Sequence, residues 1–312
     1  MSLDVLTIGR VSVDLYPEQV GVRLVDVQTF RKMLGGSPTN VAVAAANFGR
    51  RSAVVTKVGA DGFGDYVRAA LAGFAVDPSY VGTHPELRTP LVFCEIFPPD
   101  EFPLLFYREP SAPDLQLESA DLPRRELEDA GLFWVTGTGL SAEPSRSTTL
   151  EALRTRGRKR HTVFDLDFRE SLWSSPQEAR ALYREALGLA TVAVGNREEA
   201  AVAVEATSPR ETAEALLALG VELAVVKLGA EGVLALTADE IVEVEPVAVE
   251  VLNGLGAGDA FGGALCHGLL AGWELEPMIR FANAAGALVA SRLGCADDMP
   301  TSEEVEALLC RV

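Results

Sequence analysis

Near the C-terminal end, the stretch VEVLNGLGAGDAFGGALCHGLL places a carboxylate, Asp259, directly after the turn Gly256-Ala257-Gly258. A β-branched run precedes the turn and a helix-like segment follows it. Three interpretations are open: a dinucleotide-binding turn, a phosphate-binding loop, or a tight strand-to-helix connection. If residues 257–270 form a helix, the backbone N–H groups of the turn are unpaired donors at its start. Reinforced by the helix dipole, these donors would form an anion site.

Asp259 is expected to project from the first helical turn beside that site. There it either complements the helix dipole or takes part in chemistry. A carboxylate at a helix N-terminus is predicted to have a lowered pKa and to be a modest base. Such a base suits a hydroxyl that loses its proton late in the reaction. It suits poorly the abstraction of a proton from carbon.

The glycine spacing argues against a dinucleotide turn. The glycines at 256, 258 and 262 give G-x-G-x-x-x-G, one residue longer than the dinucleotide fingerprint. The chain has no Gly-Lys dipeptide, so a Walker A loop is excluded, and the absence of a G-x-S-x-G elbow argues against a serine hydrolase. Zinc chemistry has little support, because the histidines lack metal-ligand spacing; they are His84, His161 and His267.

Composition narrows the class of partner. The chain has 312 residues, of which 48% are hydrophobic, and a net charge of −18. This acidity argues against nucleic acid, but not against a small anion held by a few arginines. No apolar run approaches the roughly 18 residues of a membrane span, so no membrane partner is predicted. Four scattered cysteines and the lack of a signal-peptide pattern predict a cytoplasmic location.

Short β-branched runs alternate with alanine- and leucine-rich helical stretches. This pattern predicts an α/β fold, with a doubly wound, mostly parallel sheet and helices on both faces. Ligands in such sheets bind beyond the carboxyl ends of the strands. The predicted strands are 3–9, 52–59, 131–137, 161–167, 190–195 and 222–229. The predicted helices include 39–48, 64–73, 178–188 and 210–219.

Two regions break the alternation. Residues 11–33 and about 86–110 carry strand-like alternation without a following helix. The second, RTPLVFCEIFPPDEFPLLFYRE, is typical of a hairpin with a Pro-Pro-Asp turn. We expect the two regions to pair into a small β lid outside the main sheet, although an edge hairpin is the simpler alternative.

Polar residues also stand at the starts of two predicted helices. In LGGSPTNVAVAAANFG, a flexible glycine pair precedes a helix expected to begin near Thr39, with Asn40 on its first turn. In GNREEA, Asn196 and Glu199 are three residues apart, a spacing that places both side chains on one helix face.

Two further strings lie at strand ends. In DLDFRESLW, Asp165, Asp167 and Arg169 occupy alternate positions, so they face the same way if the strand continues. The string KLGAEGVL supplies Lys227, Gly229 and Gly232.

In this order and spacing, these strings resemble the ribokinase-like (PfkB) sugar kinases from about residue 3 onward. The resemblance implies that the Gly256, Ala257 and Gly258 amides form the anion hole for the transferred phosphoryl group. It implies that Asp259 is the base that accepts the proton of the attacking sugar hydroxyl. Positioning and charge stabilisation would then supply most of the catalysis.

The resemblance also implies ATP and Mg²⁺ as cofactors. Asn196 and Glu199 match an N-x-x-E element that organises magnesium and its waters, which agrees with the tendency of Mg²⁺ to keep waters. The positions that match the nucleotide side are Asn196, Lys227, Gly229, Gly232 and Asn283. The positions that match the polyol side are Asp14, Gly35, Gly36 and Asn40.

An acidic sugar is the expected acceptor. The Tyr107-Arg108 pair on the predicted lid, together with Arg169, offers two cations, and the fork of an arginine can bind both oxygens of a carboxylate. DLDFRESLW and the C-terminal GCADDMPT are similar to 5-dehydro-2-deoxygluconokinases of myo-inositol catabolism. That similarity implies phosphorylation of the 6-hydroxyl of 5-dehydro-2-deoxy-D-gluconate.

Several alternatives stay open. A 2-dehydro-3-deoxygluconate kinase carries a Tyr-Arg pair before Ser-Ala on its lid, and this chain reads YREPSA. Another PfkB sugar or nucleoside kinase shares the fold, although two arginines suit a nucleoside base poorly. A catalytically silent sugar- or nucleotide-binding regulator is the alternative from a different class.

One stretch departs from the family pattern. Asn253-Gly254-Leu255 replaces an Asp-Thr-Thr-like sequence whose acidic position lies near a monovalent cation site, so potassium dependence is left open. Finally, the resemblance implies a single kinase domain over residues 1–312 and a homodimer that pairs through the lid.

Overall fold

A computed structural model describes residues 2–311, so the predicted domain bounds, Met1 and Val312, lie outside the described residues. The strands are β1 Val5–Ile8, β2 Ser12–Pro17, β3 Phe30–Gly35, β4 Ser52–Gly59, β5 Val76–Asp77, β6 Val81–His84, β7 Leu91–Cys94, β8 Leu104–Tyr107, β9 Leu132–Thr136, β10 Thr162–Asp165, β11 Val192–Asn196, β12 Leu223–Lys227, β13 Val233–Leu236 and β14 Ile241–Val244. The α-helices are α1 Ser37–Asn47, α2 Gly62–Gly73, α3 Arg124–Asp129, α4 Ser145–Arg156, α5 Pro176–Leu189, α6 Arg197–Val204, α7 Pro209–Ala218, α8 Ala257–Ala271, α9 Leu275–Ala290 and α10 Ser302–Leu309.

The main sheet is mostly parallel, as predicted. Its strand order is β14-β13-β12-β11-β10-β9-β1-β4, and β5 and β6 both pair with β4. Each strand from β12 through β4, together with β5 and β6, pairs in parallel with its neighbour on that side of the sheet. Strands β13 and β14 form an antiparallel edge next to β12. Across residues 2–311, every helix falls short of the combined length and apolarity needed to cross a membrane.

Two hydrophobic layers cover the sheet. Strand side chains alternate between its faces, so Trp134 packs with one layer and its neighbour Phe133 with the other. Helices α1, α2, α8, α9 and α10 bury their apolar residues on the first face, and α3 to α7 do so on the second. The predicted doubly wound α/β fold is therefore confirmed.

The two regions that break the alternation pair into a second sheet of order β3-β2-β7-β8. A bridge between Phe97 and Glu101 closes the predicted hairpin around the Pro-Pro-Asp turn. One face of this small sheet is a buried cluster that includes Tyr16, Met33 and Cys94. Strand β3 runs to Gly35, two residues beyond the predicted segment. That this sheet acts as a lid stays a prediction.

Two local expectations are corrected. Strand β10 ends at Asp165 rather than continuing to 167, because the chain turns at Asp167, whose φ is +29°. The alternate-position argument for Asp165, Asp167 and Arg169 therefore does not hold. Helix α1 begins at Ser37, two residues before Thr39.

Small residues let α8 approach α1 closely. A Cβ built at Gly263 would lie 2.3 Å from the Cβ of Ala44, and one at Gly262 would lie 2.7 Å from the Trp134 ring. Distances this short exclude any side chain at either position without movement of the neighbouring helix. The close contact brings the first turns of the two helices together at the carboxyl edge of the sheet.

We predict that Gly263→Ala destabilises the fold by about 1–3 kcal/mol, because the added methyl group overpacks the α1–α8 contact. The matched control is Gly188→Ala on α5, where an added Cβ has no atom within 4 Å. That change should raise stability by about 0.4–1 kcal/mol. Urea unfolding of both variants measures the difference, and equal stabilities would contradict the packing argument.

Candidate active site

The start of α8 presents backbone N–H groups that lack acceptors. Gly256, the residue before the helix, has φ of +81°, and an added Cβ would lie 2.5 Å from the Cys295 sulfur. Glycine is thus required at position 256 both by the positive φ and by the lack of room for a side chain. Within residues 2–311 the N–H groups of Gly256 and Gly258 have no hydrogen-bond acceptor, and that of Ala257 makes only a 3.5 Å contact with the Gly254 carbonyl. The turn is therefore able to receive an anion.

Two donors from α1 hold the Asp259 carboxylate in place. The Ser37 hydroxyl donates to Oδ1 at 2.8 Å, and the Asn40 Nδ2 donates to Oδ2 at 2.8 Å. Both donors lie on the first turn of α1, which the close α1–α8 packing brings beside α8. The carboxylate is thereby aimed along the same cleft as the unpaired amides.

The expectation of a lowered pKa for Asp259 is wrong. Burial raises the pKa of this carboxyl above its ordinary value, and the hydrogen bonds from Asn40 and Ser37 offset that rise only in part. The loss of hydration thus outweighs the position at a helix N-terminus. Asp259 is consequently a stronger base than a solvent-exposed aspartate.

A second carboxylate faces the cleft from β2. Asp14 is buried and accepts a 2.6 Å hydrogen bond from the Ser12 hydroxyl. Burial raises its pKa to about 6. An added Cβ at Gly35 would lie 2.1 Å from this carboxylate, and one at Gly36 would lie 2.4 Å from the Arg10 carbonyl oxygen. Glycine at 35 therefore leaves room for the Asp14 carboxylate, and glycine at 36 lets the chain pass close to the Arg10 backbone.

Lys227 ends β12 beside the anion-binding turn. Its Nζ would lie 3.0 Å from a Cβ placed on Gly258. Burial alone would lower the pKa of Lys227, but Asp165, Glu199 and Asp259 raise it above its ordinary value. The ammonium group therefore stays charged next to the amides of the turn.

Asn196 and Glu199 form the first turn of α6. The Asn196 Oδ1 accepts from the Glu199 N–H at 2.9 Å, and Glu199 Oε2 accepts from the Asn196 N–H at 2.8 Å, a reciprocal capping box. Burial raises the pKa of Glu199. The part of the chain that the structure describes has no group of three or more acidic, histidine or cysteine side chains that could hold a metal ion. A metal here would have to keep most of its waters.

The other predicted nucleotide-side residues lie around the end of β14. Gly229 has φ of +60° and faces open space, whereas an added Cβ at Gly232 would lie 2.0 Å from the Val244 carbonyl oxygen. Asn283 on α9 donates to the Glu245 carbonyl at 2.9 Å. Gly232 and Asn283 thus have clear structural roles at this edge.

Arg169 lies at the cleft, where it forms an ion pair with Asp167. Its Nη2 lies 3.0 Å from Asp167 Oδ1, and Thr138 donates to the other oxygen of Asp167 at 3.1 Å. The side chain of Arg169 is 42% exposed, so a ligand has access to it.

The predicted Tyr107–Arg108 pair is placed differently from expectation. Tyr107 is 58% exposed and packs against Phe93 on the outer face of the small sheet, because its neighbour Phe106 shares the inner face with Asp14. The structure does not bring Tyr107 to the cleft. Arg108 is buried, and its Nη2 donates to Asp114 at 2.8 Å. One of its donors is therefore occupied by Asp114, and its role in binding a ligand stays a prediction.

Three residues at the cleft were missed in the sequence. Ser37 and Thr138 hold carboxylates in place, and Arg10 lies between the end of β1 and Asp14. A basic residue directly after the first parallel strand was the available signal for Arg10, since ligands bind at that edge. The two hydroxyls carry no such signal, because their partners are distant in sequence.

Asp14, Asp259, Lys227 and Arg169 converge on the carboxyl edge of the sheet. The negative charge of Asp259 raises the pKa of each of the other three groups, so all four lie within electrostatic reach of one another. Two grooves flank β14, with volumes of about 820 and 270 Å³, and neither includes Asp259 or Asp14. The charged cleft can accept a polyol on the Asp14 side and a phosphate on the Lys227 side, with Asp259 between them.

Comparison with known proteins finds similar carbohydrate kinases. The model of the pfkB family carbohydrate kinases matches residues 2–302. The chain is 33% identical to a 5-dehydro-2-deoxygluconokinase of Clostridium tetani, over 98% of this chain and 93% of that protein. It is 31% identical to a double-mutant fructokinase of Vibrio cholerae O395 bound to fructose, ADP and potassium ion, with a TM-score of 0.87 over 99% of both chains. A fructokinase of Xylella fastidiosa with bound ATP is 26% identical, with a TM-score of 0.86 over 99% and 98% of the chains.

We predict that kcat falls on acidification through the raised pKa of Asp259, since only the carboxylate accepts a proton. Ser37→Ala removes one donor that favours the charged form, so the acid limb should move to higher pH by about one unit. The pH profile of kcat measures this shift. Ser147→Ala, at an exposed serine on α4, is the control and should leave the profile unchanged. An unmoved limb in Ser37→Ala would contradict the assignment of that limb to Asp259.

Proposed function

Because this chain belongs to the pfkB family of carbohydrate kinases, it is an ATP-dependent sugar kinase, and we propose that its acceptor is 5-dehydro-2-deoxy-D-gluconate, phosphorylated on the 6-hydroxyl. The observation that carries the catalytic part is the Asp259 carboxylate, held by Ser37 and Asn40 beside unpaired amides. Relatives that are named 5-dehydro-2-deoxygluconokinase support this choice of acceptor.

On the acceptor side, Asp14 and Asn40 bind sugar hydroxyls, and the missing side chain at Gly35 leaves room for the Asp14 carboxylate. The hydroxyl to be phosphorylated lies against Asp259. Its oxygen attacks the γ-phosphorus of ATP as the bond from that phosphorus to the β–γ bridging oxygen breaks. Asp259 takes the hydroxyl proton, and ADP leaves with the electron pair of the broken bond.

On the phosphoryl side, the amides of Gly256, Ala257 and Gly258 receive the charge of the transferred group, with Lys227 beside them. Donors aimed at the developing charge supply the largest share of such catalysis. Asn196, Lys227, Gly229, Gly232 and Asn283 are proposed on the nucleotide side. Glu199 and Asn196 would hold Mg²⁺ through water, and that ion, when bound, neutralises phosphate charge.

The proposal that the acceptor is an acidic sugar is supported by a cation at the cleft. Arg169 is accessible although it pairs with Asp167. A 2-dehydro-3-deoxygluconate kinase is less well supported, because the tyrosine of its Tyr-Arg signature falls on Tyr107, which is exposed on the outer face of the small sheet.

We also propose a single kinase domain in which the small sheet is a lid over the acceptor. Its outer face exposes Leu105 and Tyr107 and is the proposed contact for a second copy of the chain. A cytoplasmic location stays a prediction.

Asp259→Asn should lower kcat by roughly 10²- to 10⁴-fold, the usual contribution of a general base, while ADP binding stays near that of the wild type. A coupled assay of ADP release with 5-dehydro-2-deoxygluconate, 2-dehydro-3-deoxygluconate, fructose and ribose tests both the base and the acceptor. Asp239→Asn, on an exposed turn, is the matched control. Near-normal turnover in Asp259→Asn would contradict the assignment of Asp259 as the base. A preference for fructose or ribose would contradict the assignment of an acidic acceptor.

The contacts of Asn253 are relevant to whether the enzyme needs a monovalent cation. It is fully buried; its Nδ2 donates to the Leu293 carbonyl at 2.6 Å, and its Oδ1 accepts from the Leu255 N–H at 3.0 Å. A carboxylate at this position would leave the Leu293 carbonyl facing negative charge, an arrangement that a cation could bridge. We propose that the amide makes such a cation unnecessary.

Wild-type kcat should therefore be equal in potassium and in choline salts. Asn253→Asp should lower kcat and Tm in choline, with partial recovery of both in potassium. Asn47→Asp is the matched control, because it also loses an amide donor to a carbonyl, that of Met299, away from the cleft. A wild-type enzyme that requires potassium would disprove the proposal.

A further inference from the structure

Arg10 occupies the wall of the acceptor site. It follows β1, and its carbonyl oxygen accepts from the Thr39 hydroxyl at 3.1 Å, which fixes its backbone against α1. Its guanidinium carbon lies 5.8 Å from the centroid of the Phe106 ring on β8, a distance at which the ring attracts the cation. Arg10 thus bridges the main sheet and the small sheet beside Asp14.

Arg10 differs from the other arginines of the cleft in its partners. Arg169 pairs with Asp167 at 3.0 Å, and Arg108 pairs with Asp114 at 2.8 Å. Among residues 2–311, all three arginines have a buried Nε–H without an acceptor, but only Arg10 has no carboxylate oxygen within 4.0 Å. A buried donor on a cation is costly to leave unpaired, so its presence here points to an anionic ligand.

Arg108, on the segment that follows β8, is linked to the backbone next to Arg10. Arg108 Nε and Nη1 are buried and lack acceptors, while Asp114, which holds Arg108, also accepts the Val11 N–H at 3.2 Å. Asp114 therefore joins the backbone next to Arg10 to the guanidinium of Arg108. Arg108 is thus tied, through Asp114, to the chain segment that carries Arg10.

The acceptor site needs such a cation if its ligand is an anion. Asp14 and Asp259 both present carboxylates to the acceptor, and they would repel a second negative charge. The charge of Arg10 lowers the pKa of both carboxyls, against the larger effect of burial. Arg10 consequently lies within electrostatic reach of the polyol-binding group and of the base.

We propose that Arg10 binds the carboxylate of the acidic sugar and thereby determines the specificity for an acid over a neutral sugar. This inference rests on the proposed function. A guanidinium presents parallel N–H groups that match both oxygens of a carboxylate, which an ammonium cannot reproduce. Arg108 is a positioning residue, because its ion pair orients Asp114, which holds the backbone next to Arg10.

The test compares KM for 5-dehydro-2-deoxygluconate with KM for its methyl ester, which lacks the charge. Arg10→Met should raise KM for the acid roughly 10- to 150-fold, the strength of a hydrogen bond to a charged group, and should change KM for the ester less than threefold. Arg10→Lys keeps the charge without the fork and should give a smaller rise for the acid. Arg184→Met, at an exposed arginine on α5, is the control.

Melting temperature and ADP affinity of each variant report whether the fold and the nucleotide side are intact. If Arg10→Met does not fold, the acid-to-ester comparison in Arg10→Lys carries the test. Equal loss for acid and ester, or a fall in kcat with KM unchanged, would overturn the role of Arg10 and leave the proposed function standing. A wild-type enzyme that accepts neutral sugars and no acid would instead overturn the proposed function.

Discussion

The meeting of the first turns of α1 and α8 is the contact on which the rest of the cleft depends. Gly263 and Ala44 approach so closely that neither helix can move away without opening a gap in the core. That approach places Asn40 and Ser37 within hydrogen-bond distance of Asp259. The base is therefore oriented by helix packing rather than by a loop, and the amides that precede it share the same rigid support.

Charge in the cleft is governed by burial. Loss of hydration raises the pKa of Asp259, Asp14 and Glu199, and the donors around each carboxylate offset only part of the rise. The helix dipole alone would favour the opposite direction for Asp259. The result is a base with greater proton affinity than an exposed carboxylate, in a site where each remaining cation has a strong influence on which ligands are bound.

Sequence patterns predicted most of the framework and the centre of the site. Alternating β-branched and helical runs identified the main sheet because both signals are local. The glycine turn before Asp259 had three possible uses, and only its combination with the other strings, through the family resemblance, pointed to a phosphoryl site. The limits of prediction lay in long-range pairing. The side that Tyr107 faces depends on its register against β7, and the partner of Arg108 is set by the fold around Asp114. Likewise, the turn at Asp167 is a backbone conformation that no periodicity indicates.

The central claim is that one carboxylate, fixed between α1 and α8, meets the sugar hydroxyl and the phosphoryl group at the same point. A crystal structure with 5-dehydro-2-deoxygluconate and a non-hydrolysable ATP analogue tests it most directly. We expect the acceptor hydroxyl within roughly 2.6–3.2 Å of an Asp259 oxygen, with the γ-phosphate against the amides of residues 256–258. A sugar bound with every hydroxyl beyond contact with Asp259, or a γ-phosphate held away from those amides, would contradict the account.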